Sequence, residues 1–264
     1  MSGPGGVLRI VILGGTGEAR SFVETALARH GPAIDPITSL AGRTQAPAAL
    51  PGRVRIGGFG GPAGLAGYLR AEAVDLLVDA THPFARHMPH HAAEAAAESG
   101  IPRLRLERAP WRPGIGDRWH SLKSVEAAAE CLPDHGRRAL VTVGAQEATR
   151  FAAIEGAQIY LRAIDAAGLP PERADLRHIL ARGPFDLEAE RALLAQYRID
   201  LLVTKNSGGA ATVAKLEAAR AVGIPVLMVD RPTPPVPGPR VETVAAALDW
   251  LAKRLEERRR DVMN

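Results

Sequence analysis

The chain's most chemically suggestive stretch is Leu13-Gly14-Gly15-Thr16-Gly17-Glu18-Ala19, set between a short apolar run and a helix-like segment. Glycines after a strand allow a tight turn, and the first N–H groups of the following helix point outward, ready for a phosphate. The general dinucleotide fingerprint is G-x-G-x-x-G. Gly15 and Gly17 fill its first two glycine positions, but Arg20 stands at the third, so a ligand-free strand–helix turn competes with a nucleotide site. The next expected strand ends in Ser39-Leu40-Ala41-Gly42-Arg43-Thr44, with no acid to bind a ribose diol. Arg43, with Ser39 and Thr44 beside it, suits a 2′-phosphate. Joined to the glycine loop, this reads as a site for NADP(H).

Other chemistry-bearing residues also follow expected strand ends. Asp79-Ala80-Thr81-His82-Pro83-Phe84 places Thr81 and His82 where ligands collect in open parallel sheets, and the same segment can cap a helix starting at Pro83. Val203-Thr204-Lys205-Asn206-Ser207-Gly208-Gly209 precedes another helix-like stretch. Ser207, Gly208 and Gly209 at its head would favour an anion, and one of only four lysines sits here. Thr142-Val143-Gly144 and Arg182-Gly183-Pro184-Phe185 end strands too. His82, His87, His90 and His91 do not make a metal motif: no H-E-x-x-H is present, and Asp79 and Glu94 are the only acids nearby. Tyr68, Tyr160 and Tyr197 all lack a lysine four residues on, and the chain has neither a P-loop nor a G-x-S-x-G elbow.

The elements that must position these residues alternate. Strands are expected at 7–13, 34–40, 53–56, 75–79 and 101–106, with helices at 16–30, 63–72 and 83–99. Residues 107–123 break the rhythm with Pro110, Pro113, Gly114 and Gly116, and a domain boundary is placed there. Strands at 139–143, 158–163, 177–181, 200–204 and 224–229 follow, with helices at 124–132, 186–197 and 209–221. Five prolines in 232–239 exclude a helix, and an amphipathic helix is expected at 244–260. This is an α/β pattern of parallel sheets covered by helices. The expected domains are 1–115 and 116–264.

Composition narrows the class. The chain has 264 residues, and 46% are apolar, enough for a sizeable core. Of its 33 basic residues 29 are arginine, a bias that a GC-rich genome or a site for an anionic ligand would each produce. Aromatics at 4% leave few base-stacking platforms, so no nucleic-acid partner is expected. No stretch has the length of a membrane span. Cys131 is the only cysteine, which excludes an internal disulfide and fits a cytoplasmic protein.

Four motifs, taken in order, resemble one family. They are Ile12-Leu13-Gly14-Gly15-Thr16-Gly17-Glu18-Ala19, Asp79-Ala80-Thr81-His82-Pro83-Phe84, Arg182-Gly183-Pro184-Phe185 and Val203-Thr204-Lys205-Asn206-Ser207-Gly208-Gly209. The chain resembles the precorrin-6A reductase family of cobalamin biosynthesis, which includes cobalt-precorrin-6A reductases. The resemblance implies NADPH-dependent reduction of one double bond of a ring-contracted tetrapyrrole. It implies two Rossmann-like domains with the active site in the cleft between them. NADPH would be held by Gly14, Gly15, Thr16, Gly17, Glu18, Ala19, Ser39, Arg43, Thr81 and His82. The polycarboxylate substrate would lie against Thr142, Gly144, Arg182, Lys205, Ser207, Gly208 and Gly209. Lys205 is the candidate for stabilising charge or relaying a proton. The implied partners are this substrate and, for hand-off, neighbouring pathway enzymes. Two alternatives stand beside this reading: a cobalt-containing substrate, or a non-catalytic dinucleotide or tetrapyrrole sensor, since fold does not fix function.

Overall fold

The computed structural model describes residues 6–41, 50–232 and 238–263. Among these, the chain forms two compact units, one up to Arg108 and again from residue 238, the other Ala109–Pro232.

The first unit begins β1 (Leu8–Leu13), α1 (Gly17–His30), β2 (Ile34–Leu40), β3 (Arg53–Ile56), α2 (Pro62–Ala71), β4 (Leu76–Asp79), α3 (Met88–Ser99) and β5 (Arg103–Leu106). The second contains β6 (Trp119–Leu122), α4 (Val125–His135), β7 (Arg138–Thr142), the single turn α5 (Ala145–Ala148), β8 (Gln158–Ala163), β9 (Leu176–Leu180), α6 (Leu187–Gln196), β10 (Leu201–Lys205), α7 (Ala214–Val222) and β11 (Val226–Val229). The chain then returns to the first unit with β12 (Arg240–Val241) and α8 (Val244–Met263).

Both sheets have six strands, and every pairing between them is parallel. The first runs β3-β2-β1-β4-β5-β12 and the second β9-β8-β7-β10-β11-β6. Counted outward from β1 and from β7, both follow the doubly wound order 3-2-1-4-5-6. In each, the order reverses at one switch point, β1/β4 in the first and β7/β10 in the second. The sixth strand of each sheet is out of sequence: β12 comes after the whole second unit, and β6 comes before β7.

Strand β1 shows why the sheet needs helices on both faces. Leu8, Ile10 and Ile12 pack with Phe22 and Val23 of α1 and with Ala247, Leu248 and Leu251 of α8. Val11 and Leu13 point to the opposite side and pack with Leu65 and Leu69 of α2 and Ala92 and Ala95 of α3. The two-residue period sends alternate side chains into two separate cores. In the second unit Leu140, Leu202, Val226 and Met228 pack with Leu194 of α6 and Leu216 of α7.

Several sequence expectations change. The expected domains are 1–115 and 116–264, but the second unit begins at Ala109, β12 pairs with β5, and α8 buries its apolar stripe in the core it shares with α1. The helix expected from Pro83 starts at Met88, with Pro89 in its first turn. Residues 82–85 instead form a tight turn, closed by the Ala85 N–H donating to the His82 carbonyl at 2.8 Å. The helix expected from Gly209 is split: a 3-10 turn, Ala210–Thr212, precedes α7.

Candidate active site

The glycine loop lies at the β1/β4 switch point, where doubly wound sheets bind ligands. Thr16 caps α1: its Oγ1 accepts from the Ala19 N–H at 3.1 Å and donates to the Ala80 carbonyl at 2.8 Å. One hydroxyl thus ties the glycine loop to the segment leaving β4. Ala19 is buried in the core, and its N–H is already taken by Thr16. Gly17 and Glu18 keep outward N–H groups with no partner among the described residues. Thr16→Ala should cost about 1–2 kcal/mol, for the lost cap and the stranded Ala80 carbonyl, read as a lower denaturant midpoint.

The three glycines answer to different demands. A Cβ at Gly14 would lie 2.9 Å from Thr38 Cγ2, so close packing on β2 requires glycine there. Gly15 has φ +98°, a backbone that favours glycine. Gly17 has neither constraint: its φ is unexceptional, and a Cβ would meet nothing within 4 Å. Open space before a helix start, without a side chain to fill it, is what a pyrophosphate needs. Glu18, in the first turn, is ion-paired to Arg108 at 2.6 Å, which offsets a negative charge that would otherwise oppose an anion.

Beside this loop, β4 ends in a buried polar network. Asp79 is fully buried, and its Oδ1 accepts from the Thr81 N–H at 3.1 Å, Thr81 Oγ1 at 2.7 Å and Arg105 at 2.7 Å. Arg105 also reaches Thr81 Oγ1 at 2.8 Å and Glu107 at 3.0 Å. Asp79 Oδ2 is buried without a hydrogen-bond partner among the described residues. Burial lowers the pKa of Arg103, against the opposing charge of Asp79. His82 Nδ1 accepts from the Phe84 N–H at 3.2 Å, which leaves Nε2 as the protonated nitrogen of the neutral ring. Ser39 is buried on β2, and its carbonyl receives the Gly14 N–H at 2.9 Å. Arg43 lies outside the described residues. Among them, no three His, Cys, Asp or Glu residues come together as a metal site.

In the second unit, Thr142, Gly144 and Lys205 fall at the β7/β10 switch point. Thr142 Oγ1 donates to the Val203 carbonyl at 3.2 Å. Gly144 has φ +92°, and a Cβ there would meet nothing within 4 Å. Lys205 ends β10, with its Nζ 2.7 Å from Glu147 Oε2. Arg182 is exposed and makes no hydrogen bond or ion pair among the described residues.

The loop after Lys205 is built differently from expectation. Gly208 is buried, and a Cβ there would lie 2.0 Å from the Ala109 carbonyl oxygen, so main-chain packing dictates glycine. The Ser207 carbonyl accepts from Arg231 at 3.0 Å, and that of Gly209 accepts from Trp111 Nε1 at 3.0 Å. Asn206 exchanges hydrogen bonds with the Trp111 main chain at 2.8 and 3.1 Å. Ser207 to Gly209 therefore precede a 3-10 turn, rather than heading the α-helix itself. Glu147, Trp111 and Arg231 organise this region with Asn206 of the quoted motif, and no local spacing marks the first three.

Two parallel sheets of doubly wound order, each with glycine-bearing loops at its switch point, place the molecule among Rossmann-like α/β proteins. Within that class the chain belongs to the family described as Precorrin-6x reductase CbiJ/CobK, whose model matches residues 9–252. It is 50% identical over 246 residues to a precorrin-6A reductase of Rhodococcus erythropolis, covering 92% of this chain and 97% of that one. A cobalt-precorrin-6A reductase of Priestia megaterium is 31% identical over 179 residues, or 62% and 68% of the two chains. A solved structure described as CobK precorrin-6A reductase superposes with a TM-score of 0.85 at 41% identity, covering 94% and 97%.

Proposed function

We propose that this chain is an oxidoreductase of the CH–CH class that uses NADPH to reduce one double bond of precorrin-6A in cobalamin biosynthesis. One observation carries the reading. In a chain that matches this family over nearly its whole length, the glycine loop of the first sheet and Thr142, Gly144 and Lys205 of the second fall at sheet switch points. The metal-free ring is favoured over the cobalt ring by 50% identity over 92% of the chain, against 31% over 62%.

When bound, the dihydronicotinamide supplies the hydride. The chain's own residues bind and orient. The N–H groups of Gly17 and Glu18 hold the pyrophosphate, while Thr16 and the Asp79–Arg105 network keep the Thr81-His82 segment beside it. Arg43 holds the 2′-phosphate. In the second unit Arg182 pairs with substrate carboxylates, and Lys205, poised on Glu147, steadies developing charge or delivers the proton. Holding reacting atoms in contact supplies much of the rate. We place the reaction in the cytoplasm, consistent with the lone Cys131. Among the described residues no helix is long and apolar enough to cross a membrane.

The test is anaerobic: purified protein, NADPH and precorrin-6A, with the cofactor's near-ultraviolet band and the pigment's visible band followed together. Loss of the cofactor band coupled to a shift of the pigment band supports the reductase, and the cobalt-loaded ring run in parallel chooses the substrate. NADPH binding without turnover on either ring points to a sensor. Arg43→Ala should weaken NADPH far more than NADH, and equal losses would sink the 2′-phosphate assignment.

A further inference from the structure

Strand β3 carries Arg53 and Arg55 two residues apart, so both leave the same face of the strand. Their surroundings differ. Arg53, at the strand's start, is ion-paired to Asp35 at 3.3 Å and Glu72 at 3.1 Å. Arg55, near the carboxyl end, has no carboxylate partner among the described residues. Its Nη1 donates to the Gly57 carbonyl at 2.5 Å and its Nη2 to that of Gly58 at 2.7 Å. Its guanidinium carbon lies 3.9 Å from the centre of the Phe59 ring and 5.2 Å from that of Tyr68. Two neutral carbonyls and two aromatic rings therefore fix a planar cation without cancelling its charge. The ordering cost has been met in folding, and a later anion gains the full attraction.

The loop that holds Arg55 adds a second sign of a ligand. Gly57, Gly60 and Gly61 have φ of +116°, +78° and +98°, which accounts for glycine at each. Gly58 is different: its φ is unexceptional, and a Cβ there would meet nothing within 4 Å. Its missing side chain leaves room beside the guanidinium, as Gly17 leaves room before α1.

Register places this cation on the ligand edge. Arg55 pairs with Ser39 on β2, and Ser39 pairs with Leu13, the residue before Gly14. Two strand spacings put it about 10 Å from the glycine loop across the carboxyl edge. A dinucleotide with its pyrophosphate at that loop has its adenosine ribose read at the end of β2, one strand from Arg55. We propose that Arg55 adds a second grip on the 2′-phosphate at the adenosine end of NADPH, and so strengthens the preference for the phosphorylated cofactor. This inference rests on the NADPH reading above.

The test titrates adenosine 2′,5′-bisphosphate and 5′-AMP calorimetrically into wild-type protein and into the Arg55→Gln, Arg55→Lys and Arg53→Gln variants. Wild type should prefer the bisphosphate. Arg55→Gln should cut that preference by about tenfold or more, the worth of a charge-assisted hydrogen bond, with 5′-AMP affinity unchanged. Arg55→Lys, which keeps the charge and loses the fork, should fall between, and Arg53→Gln should match wild type. A wild-type preference that survives intact in Arg55→Gln overturns the assignment to Arg55 and leaves the NADPH reading standing. A wild type without preference overturns both. If Arg55→Gln does not fold, an undiminished preference in Arg55→Lys reduces Arg55 to a clamp on its own turn.

Discussion

Replacing Arg105 with alanine should cost about 3–5 kcal/mol of folding stability, the usual loss when one half of a buried ion pair is removed. Asp79 is 0% exposed and cannot recover the loss by hydration. One of its oxygens already lacks a hydrogen-bond partner, and the other would keep only Thr81. Glu107 would lose its contact with Arg105 at the same time. Urea unfolding of the two proteins measures the difference. Because Asp79, Thr81 and Arg105 act as one network, Asp79→Asn combined with Arg105→Ala should cost less than the two single losses added together. A loss under about 1 kcal/mol for Arg105→Ala would mean that the network is not a structural keystone.

Lys205→Ala should lower kcat by about 100-fold or more if the ammonium steadies charge or delivers the proton in the reduction. The geometry suits that role: the ammonium sits at the carboxyl end of β10, held 2.7 Å from Glu147. If Lys205 only pairs with a substrate carboxylate, the same change raises KM and spares kcat. Unchanged turnover removes it from the chemistry altogether. Steady-state kinetics, with Glu147→Gln in parallel, separates the two roles. A proton donor held by Glu147 should lose kcat in Glu147→Gln as well, whereas a carboxylate-binding lysine should show the change in KM.

What the sequence made legible follows from how local each signal is. Strands β1, β4 and β10 are short apolar runs buried on both faces, and they stand out as such. The glycine loop is legible because strand, turn and cap are contiguous. The two closing strands are not. Trp119-His120-Ser121-Leu122 is mixed in polarity and has no fully buried residue, and β12 is only two residues long. The first lies in the stretch 107–123 that reads as turns, and the second comes directly after the proline-rich 232–239. The start of α3 was misplaced because Pro83 and Pro89 offer equivalent first-turn signals, and only the turn at 82–85 chooses between them. Within the site, the missing pieces are long-range partners: Asn206 with Trp111 is 95 positions apart and Lys205 with Glu147 is 58. Gly208 was read as an anion signal because a glycine in sequence looks the same whether a ligand or a carbonyl occupies the space beside it.

The out-of-order sixth strand has a consequence for biosynthesis. The second unit is one uninterrupted stretch, inserted after β5, and can fold as soon as it leaves the ribosome. The first unit is made earlier and finished later. Until β12 and α8 emerge, the outer edge of β5 has no partner, and Phe22, Val23 and Ala26 of α1 lack the cover of Ala247, Leu248 and Leu251. Roughly 150 residues must be translated in that interval, about 8–30 s at about 5–20 residues per second. A nascent chain would carry this bare apolar face throughout, and a message truncated after the second unit would carry it permanently.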